Sequence, residues 1–259
     1  MGRRDAAPTD ARRWVFNRLA EDYRLRPGYP GPLVARLLAL AGGPGARVAE
    51  LGAGTGLLAL PLAAAGAAVT AVEPARAMLD ALATEGGPRV TPVHAAGEDT
   101  GLPAGAFELV VLADALQWID PERGGREARR LLAPAGALAV VTPHLAETPF
   151  LSALRERIAA ANVKARPAAP PLALLFSVAG LPAPAEERFE AEELLAPDRL
   201  DAVLRSLTYV GPALGPGTLE ALLADARALA EAHGGAVWRR EIGLAWARAP
   251  AGDRAASDR

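Results

Sequence analysis

The chain has 259 residues, is 51% hydrophobic and carries a formal net charge of −2. That is enough apolar material for one substantial core, with no global pull toward nucleic acid or anionic lipid. The absence of cysteine excludes disulfides, thiolate metal sites and a cysteine nucleophile, and His94, His144 and His233 lack ligand-like spacing, so no metal is expected.

The opening "MGRRDAAPTDARR" has no apolar core of the secretory kind. The longest apolar stretch, Leu57–Val72, is broken by Pro61 and Gly66 and falls short of the ~20 residues that cross a bilayer. The expectation is a cytoplasmic protein with no membrane or nucleic-acid partner, monomeric or homodimeric, with disordered tails at 1–10 and 250–259.

Between the tails the elements alternate. Trp14–Tyr23 and Pro32–Leu40 read as helices, and residues 46–51 ("ARVAEL") as a strand. "GLLALPLAAAG" (56–66) reads as a helix stopped by Gly66, with Pro61 inside it requiring a kink or a late start. Strands follow at 67–73, 89–94, 107–114 and 136–143, with helices at "PARAMLDALA" and "EARRLLA". Short apolar runs followed by helices predict a doubly wound α/β domain whose parallel sheet is covered on both faces, over roughly 30–143.

The remainder has a different character. "TPFLSALRERIAAANV" is helical, "ARPAAPP" is a proline-rich break, and "EERFEAEEL" alternates like an edge strand. "PDRLDAVLRSL" and "GTLEALLADARALAEA" are helices, and "AVWRREIGLAWARA" is a long final strand. The division expected is a cofactor-binding core at 30–143, a mostly helical region at 144–235 that roofs a pocket, and the last strand at 236–249, within one domain spanning 11–249.

The chemistry concentrates at "VAELGAGTGLLAL" (48–60), where Gly52, Gly54 and Gly56 alternate with Ala53 and Thr55 after the acidic Glu50. A glycine turn between a strand and a helix leaves bare main chain and a helix N-terminus for a nucleotide. The dinucleotide fingerprint G-x-G-x-x-G/A requires a small residue where Leu57 stands, which disfavours a nicotinamide-dependent oxidoreductase. Glu73, before Pro74, ends the second strand where a carboxylate can accept both ribose hydroxyls. Glu98, preferred over Asp99, follows the third strand and could accept from an adenine amine.

With "VAELGAGTG", "AVEPARAML", "AAGEDTGLPAGAFELVVLADALQW" and "RLLAPAGALAVV", the sequence resembles the class I S-adenosylmethionine-dependent methyltransferases, and among them the small-molecule group that includes trans-aconitate methyltransferase. The resemblance runs from 16 to 248. It implies a Rossmann-like, seven-stranded, mostly parallel sheet with an antiparallel last strand and a helical insertion near the C-terminus over the active site. It also implies S-adenosylmethionine as cofactor, S-adenosylhomocysteine as product, and a small-molecule acceptor, an organic acid among the candidates. By position, Glu50, Gly52, Ala53, Gly54, Thr55 and Gly56 would bind the methionine part, and Glu73 and Pro74 the ribose side. Gly97 and Glu98 would contact adenine, and Ala113, Asp114 and Gln117 would line the sulfonium side. Glutamine is expected in relatives at 114 and histidine at 117, so Asp114 and Gln117 depart from the pattern and leave open a non-methylating protein that keeps the cofactor.

Candidate substrate contacts are Tyr23, Arg26 and Tyr29 in "YRLRPGYP", Trp118 after the fourth strand, His144 after the fifth as candidate base, and Arg205 and Tyr209 from the late region. Each also has a plain packing or surface reading. The base-methylating signature [D/N]-P-P-[Y/F/W] is replaced by "ADALQW", against a nucleic-acid substrate.

Overall fold

The fold is described from a computed structural model, which covers residues 15–162 and 171–252. The tail expected at 1–10 lies outside the described residues, as do Trp14, most of the proline-rich break and all of the C-terminal tail beyond 252. Pro250 accepts a hydrogen bond from Ala135 N at 3.4 Å.

The chain begins with a 3-10 turn at Val15–Arg18 and one helical turn, α1 (Ala20–Tyr23), rather than the single helix predicted there. Then follow α2 (Gly31–Ala41), β1 (Arg47–Leu51), α3 (Ala59–Ala64), β2 (Ala68–Val72), α4 (Arg76–Glu85), β3 (Val90–Val93) and β4 (Phe107–Ala113). A 3-10 turn at Leu116–Trp118 leads into α5 (Pro121–Leu131), β5 (Leu132–Leu145), α6 (Pro149–Ala161) and α7 (Leu172–Val178). The last elements are β6 (Ala185–Leu195), α8 (Pro197–Ser206), α9 (Pro216–Ala232) and β7 (Ala236–Arg248).

The seven strands form one sheet in the order β3-β2-β1-β4-β5-β7-β6. Pairings from β3 through β5 are parallel, and β7 runs antiparallel between β5 and β6. The order reverses between β1 and β4, so the crevice beyond their carboxyl ends is where a ligand binds in such a sheet.

The alternation of side chains along the strands builds both layers. Val48, Val69, Leu109 and Val111 pack with Leu37 of α2 and Leu62 of α3. Ala49, Leu51, Val110, Leu112 and Leu138 face the other way, onto Leu131 of α5 and Leu175 and Phe176 of α7. This two-sided burial is why the central strands read as unbroken apolar runs. A separate cluster joins α6, α8 and α9 to Leu195, Ala236 and Trp238 at the adjoining ends of β6 and β7.

Pro61 is accommodated by a late start. Leu58 is the N-cap of α3, so Pro61 stands in the first turn, where its missing N–H leaves no helical bond unmade. The helix α7 has no counterpart in the sequence reading. Its seven residues emerge straight from a proline-rich run, with no polar cap to announce them.

Ala135 is one of two non-glycine residues with positive φ among those described, at 60°, in the bulge where β5 slips register against β4. An alanine there is strained by roughly 1–2 kcal/mol, part of which glycine gives back through unfolded-chain entropy. Ala135→Gly should therefore raise the melting temperature by about 1–3 °C in differential scanning calorimetry.

Candidate functional site

The turn after β1 curls back against β2, with Gly52 N and Ala53 N both donating to Val72 O at 2.8 and 3.0 Å. Gly52, Gly54 and Gly56 all have positive φ, at 79°, 56° and 89°. Their environments differ. A Cβ on Gly52 would stand 2.8 Å from Ala115 Cβ, and one on Gly56 would stand 2.8 Å from Leu82 Cδ1. A Cβ on Gly54 would meet only the Tyr23 ring, at 3.5 Å. Two of the glycines are thus needed for packing, and the middle one has only the Tyr23 ring against it.

Glu50 sits beneath this turn and is 2% exposed. Burial pushes its carboxyl well above the usual range, the neighbouring Glu73 pushes it further, and only the Ala59 N–H opposes. Its Oε2, like Thr55 Oγ1 in the turn, is buried without a hydrogen-bond partner. Such orphaned atoms are rare in native structures and call for a ligand or water.

Glu73, at the end of β2, spans the crevice. Its Oε2 accepts from Gly54 N at 2.9 Å and its Oε1 from Ala75 N at 2.7 Å. The Pro74 carbonyl is engaged by His94 Nε2 at 3.0 Å.

Beyond β3, Gly97 lies against Ile119 and Leu51, where a Cβ would approach to 2.9 and 3.3 Å. Glu98 is buried, and its Oε1 accepts from Asp120 N at 3.0 Å. Asp99 is exposed. The loop that carries Glu98 is tied to α5 through Glu127, which accepts from Thr100 N at 3.0 Å and from Arg130 Nε and Nη2 at 2.7 Å each. Burial works against that carboxylate, but Arg130 and Thr100 outweigh it and hold its pKa down to about 2. A depressed carboxylate pKa stabilises the fold above the unfolded value near 4.5 and loses that contribution as pH falls toward 2. Allowing for solvent screening, Glu127→Gln should cost on the order of 2 kcal/mol at neutral pH and flatten the acid limb of stability between those values, as read by urea melts across pH.

At the end of β4, Ala113 is buried, and the next residue, Asp114, takes φ 51°, its N–H held by Val141 O at 2.9 Å. Gln117 Nε2 donates to Asp114 O at 2.8 Å and to Asp114 Oδ1 at 3.2 Å. Arg26 Nη1 stands 3.6 Å from Asp114 Oδ2. Burial raises the Asp114 pKa, against Arg26, Gln117, His144 and Arg240.

The N-terminal segment closes over these groups. The Tyr23 ring covers Gly54, and Arg26 lies over that ring, 4.1 Å from its centre. The Tyr23 phenol is pushed up to about 12, by burial first, and it feels Arg26, Asp114, Glu73 and Glu50. Tyr29 is raised well above its ordinary value by burial, Asp114, Tyr23 and Glu50. Tyr209 is raised by burial, with Arg26, Asp114 and Arg155 acting on it. Trp118 is half-buried, edge-on to Phe16 at 5.1 Å, and Phe16 is edge-on to Tyr23 at 6.2 Å. His144 is exposed on β5 and acts electrostatically on Asp114.

Two candidates are engaged by other groups. Arg205 pairs with Glu220 at 2.8 Å on the helix surface, because its place on α8 turns it toward α9. Arg26, expected to face a substrate acid, instead donates through Nε to Ser206 Oγ and through Nη2 to Ser206 O, both at 2.7 Å.

The sequence reading missed the residues that pin the N-terminal segment. Arg240 on β7 is 9% exposed and donates to Pro27 O at 3.0 Å and Gly28 O at 2.6 Å. Arg199 on α8 donates to Leu25 O at 2.8 Å. Asn17 Oδ1 accepts from Ala77 N at 2.9 Å, capping α4 from outside it. No helix among the described residues is long and apolar enough to cross a membrane, and no group of residues able to hold a metal is found among them.

Residues 49–140 match the methyltransferase domain family. The chain is 37% identical over 118 residues to an uncharacterised methyltransferase of Mycobacterium tuberculosis, a match covering 46% of this chain and 47% of that protein. It is 36% identical over 133 residues to a malonyl-[acyl-carrier protein] O-methyltransferase of Geobacter sulfurreducens, covering 48% and 50%. The chain thus spans about half the length of the curated relatives it matches. Its fold superposes on the structure of a protein assigned as a type II methyltransferase from Anaeromyxobacter dehalogenans with a TM-score of 0.62 and 25% identity, over 87% of this chain and 97% of that one. By domain match and by architecture, residues 49–140 are a methyltransferase domain on the class I S-adenosylmethionine-dependent fold.

Proposed function

We propose that the chain is an S-adenosylmethionine-dependent methyltransferase acting on a small molecule. The observation that carries this reading is the buried, unpartnered Oε2 of Glu50 beneath the bare main chain of Gly54, at the point where the strand order reverses. A ligand there needs a cationic or donor group for Glu50, a slim body against Gly54 and hydroxyls for Glu73. The methionine ammonium, the sulfonium chain and the ribose have those properties.

In this reading Glu50 and the turn from Gly52 through Gly56 hold the methionine part. Glu73 and Pro74 flank the ribose, and Gly97 with Glu98 borders the adenine. Ala113, Asp114 and Gln117 line the reacting side. The cofactor supplies an electrophilic methyl carbon. The protein's contribution is orientation and exclusion of water, for which the covering segment from Tyr23 to Tyr29 is suited. Trp118, Tyr23, Tyr29, His144 and Tyr209 border the acceptor space.

The case for a carboxylate acceptor rests on arginine, and Arg26 and Arg240 donate to Ser206 and to the Pro27 and Gly28 carbonyls. A small molecule remains the acceptor class of this reading, and the segment from Tyr23 to Tyr29 lying over the glycine turn supports it.

Isothermal titration with S-adenosylhomocysteine should show one-to-one binding, and titration with NADH should show none. NADH binding without S-adenosylhomocysteine binding would reverse the assignment. Incubation with methyl-labelled cofactor and a metabolite panel then separates transfer from retention of the cofactor in another role.

A further inference from the structure

The covering segment has two attachments of different kinds. Its first half rests on the core beside the glycine turn. There Leu19 and Ala20 pack with Ala75 and Met78 at the start of α4, and Asn17 Oδ1 accepts from Ala77 N at 2.9 Å. From Leu25 to Gly28 the chain forms neither helix nor strand, and Leu25 is exposed. Its hold there is largely polar. Arg199 Nε donates to Leu25 O at 2.8 Å, Arg240 donates to Pro27 O and Gly28 O, and Arg26 donates to Ser206. All three partners belong to α8 and β7. A stretch held by a few side-chain bonds opens more readily than the packed core around it.

Ser206 is the last residue of α8 and is fully buried. The last carbonyls of a helix lack an intrahelical partner and carry the negative end of its dipole, so a guanidinium is held there by charge as well as by hydrogen bonds. Ser206 O accepts from Arg26 Nη2 at 2.7 Å. Ser206 Oγ accepts from Arg26 Nε at 2.7 Å and is itself fixed by donating to Val203 O at 2.6 Å. The same guanidinium lies 4.1 Å from the centre of the Tyr23 ring, and its Nη1 pairs with Asp114 Oδ2 at 3.6 Å. The Tyr23 ring in turn stands against Gly54. A line of contact therefore runs from the glycine turn after β1, through Tyr23 and Arg26, to the C-terminus of α8.

We propose that Ser206 is a positioning residue for the cofactor site: by capturing Arg26 at the end of α8 it holds the Tyr23 ring over Gly54, and a cofactor beneath that ring enters and leaves only when this latch opens. This rests on the cofactor reading above and goes beyond it by assigning control of cofactor exchange to a residue far from the glycine turn in sequence. The kinetic signature is specific. A latch that closes equally over free and occupied sites slows association and dissociation by the same factor, so loosening it raises both rates and leaves the affinity nearly unchanged. Damage to the binding surface itself raises only the dissociation rate and weakens affinity.

The test is stopped-flow measurement of S-adenosylhomocysteine association and dissociation on the full chain. Ser206→Ala removes the hydroxyl that receives Arg26 Nε and keeps the helix and its carbonyl. Both rate constants should rise about tenfold, the lower end for a hydrogen bond to a charged group, with the dissociation constant changed by less than about threefold. Arg199→Met, at a partly exposed position that binds Leu25 O, should raise both rates by about threefold and decides alone if Ser206→Ala melts too early to be measured. In a Tyr23→Ala background Ser206→Ala should add less than about twofold, because the two act through one contact line. Unchanged rates, a weakened affinity with unchanged association, or full additivity with Tyr23→Ala each overturn the proposal. If the wild type binds no S-adenosylhomocysteine, the cofactor reading falls and the proposal with it, a result distinguishable because no rates are then obtained.

Discussion

Glu50→Gln is expected to make the empty protein more stable and a poorer binder of S-adenosylmethionine. The carboxyl is buried at 2% exposure, one oxygen has no partner, and Glu73 stands close enough to raise its pKa. A carboxylate whose folded pKa is raised contributes stability only while protonated, and that contribution is lost as pH rises above the unfolded value near 4.5. At neutral pH the wild-type side chain therefore either ionises at a desolvation cost or holds a proton against the solution pH. Glutamine removes that cost at nearly the same volume. A gain of about 1–2 kcal/mol is expected, seen as a rise of roughly 2–6 °C in melting temperature that shrinks as the pH is lowered toward 4.5. Cofactor affinity should fall by about 10–100-fold, the loss of a hydrogen bond to a charged group. The two signs belong together: a group that destabilises the empty chain and strengthens binding is what a preorganised ligand site contains. Equal affinity in wild type and variant would remove Glu50 from the site.

The parts of this site that are local in sequence were legible in it. The glycines after β1, Glu73 at the end of β2 and the residues after β4 announce themselves because a strand end, a turn and a helix start within a few positions dictate their residue types. Pro61 was legible as a problem and not as a solution, since a late helix start and a kink leave the same letters. The covering segment was not legible. Arg240 and Arg199 hold Leu25, Pro27 and Gly28 across more than 170 residues, and their acceptors are main-chain carbonyls, which every residue has. No residue pattern at either end encodes such a contact. Arg26 and Arg205 show the converse. Both sit in plausible contexts, and neighbours supplied by the tertiary fold, Ser206 and Glu220, decide where they point. The helix α7 was hidden because its apolar run follows prolines that read as loop.

The second large effect concerns Gly54, and the three glycines of the turn together provide its control. Gly54→Val should abolish detectable S-adenosylhomocysteine binding, a loss of more than about 100-fold, because its branched side chain would crowd the main chain against which the cofactor is proposed to lie. The fold should survive. The added Cβ meets the Tyr23 ring at an ordinary 3.5 Å, and the remaining cost is that of a branched residue at φ 56°, about 1–2 kcal/mol. Gly56→Ala should behave oppositely. Its Cβ would be driven to 2.8 Å from Leu82 Cδ1 and 3.1 Å from Leu60 Cγ, inside the core, where overpacking costs about 1–3 kcal/mol. That variant should melt earlier than the wild type yet bind with nearly wild-type affinity at temperatures where it is folded. A thermal melt and a titration on each variant therefore read out separate roles: one glycine facing a ligand and another serving the packing of β1 against α4. If Gly54→Val binds normally, the crevice at the end of β1 is not where the cofactor lies, and the roles assigned to Glu50 and Glu73 go with it.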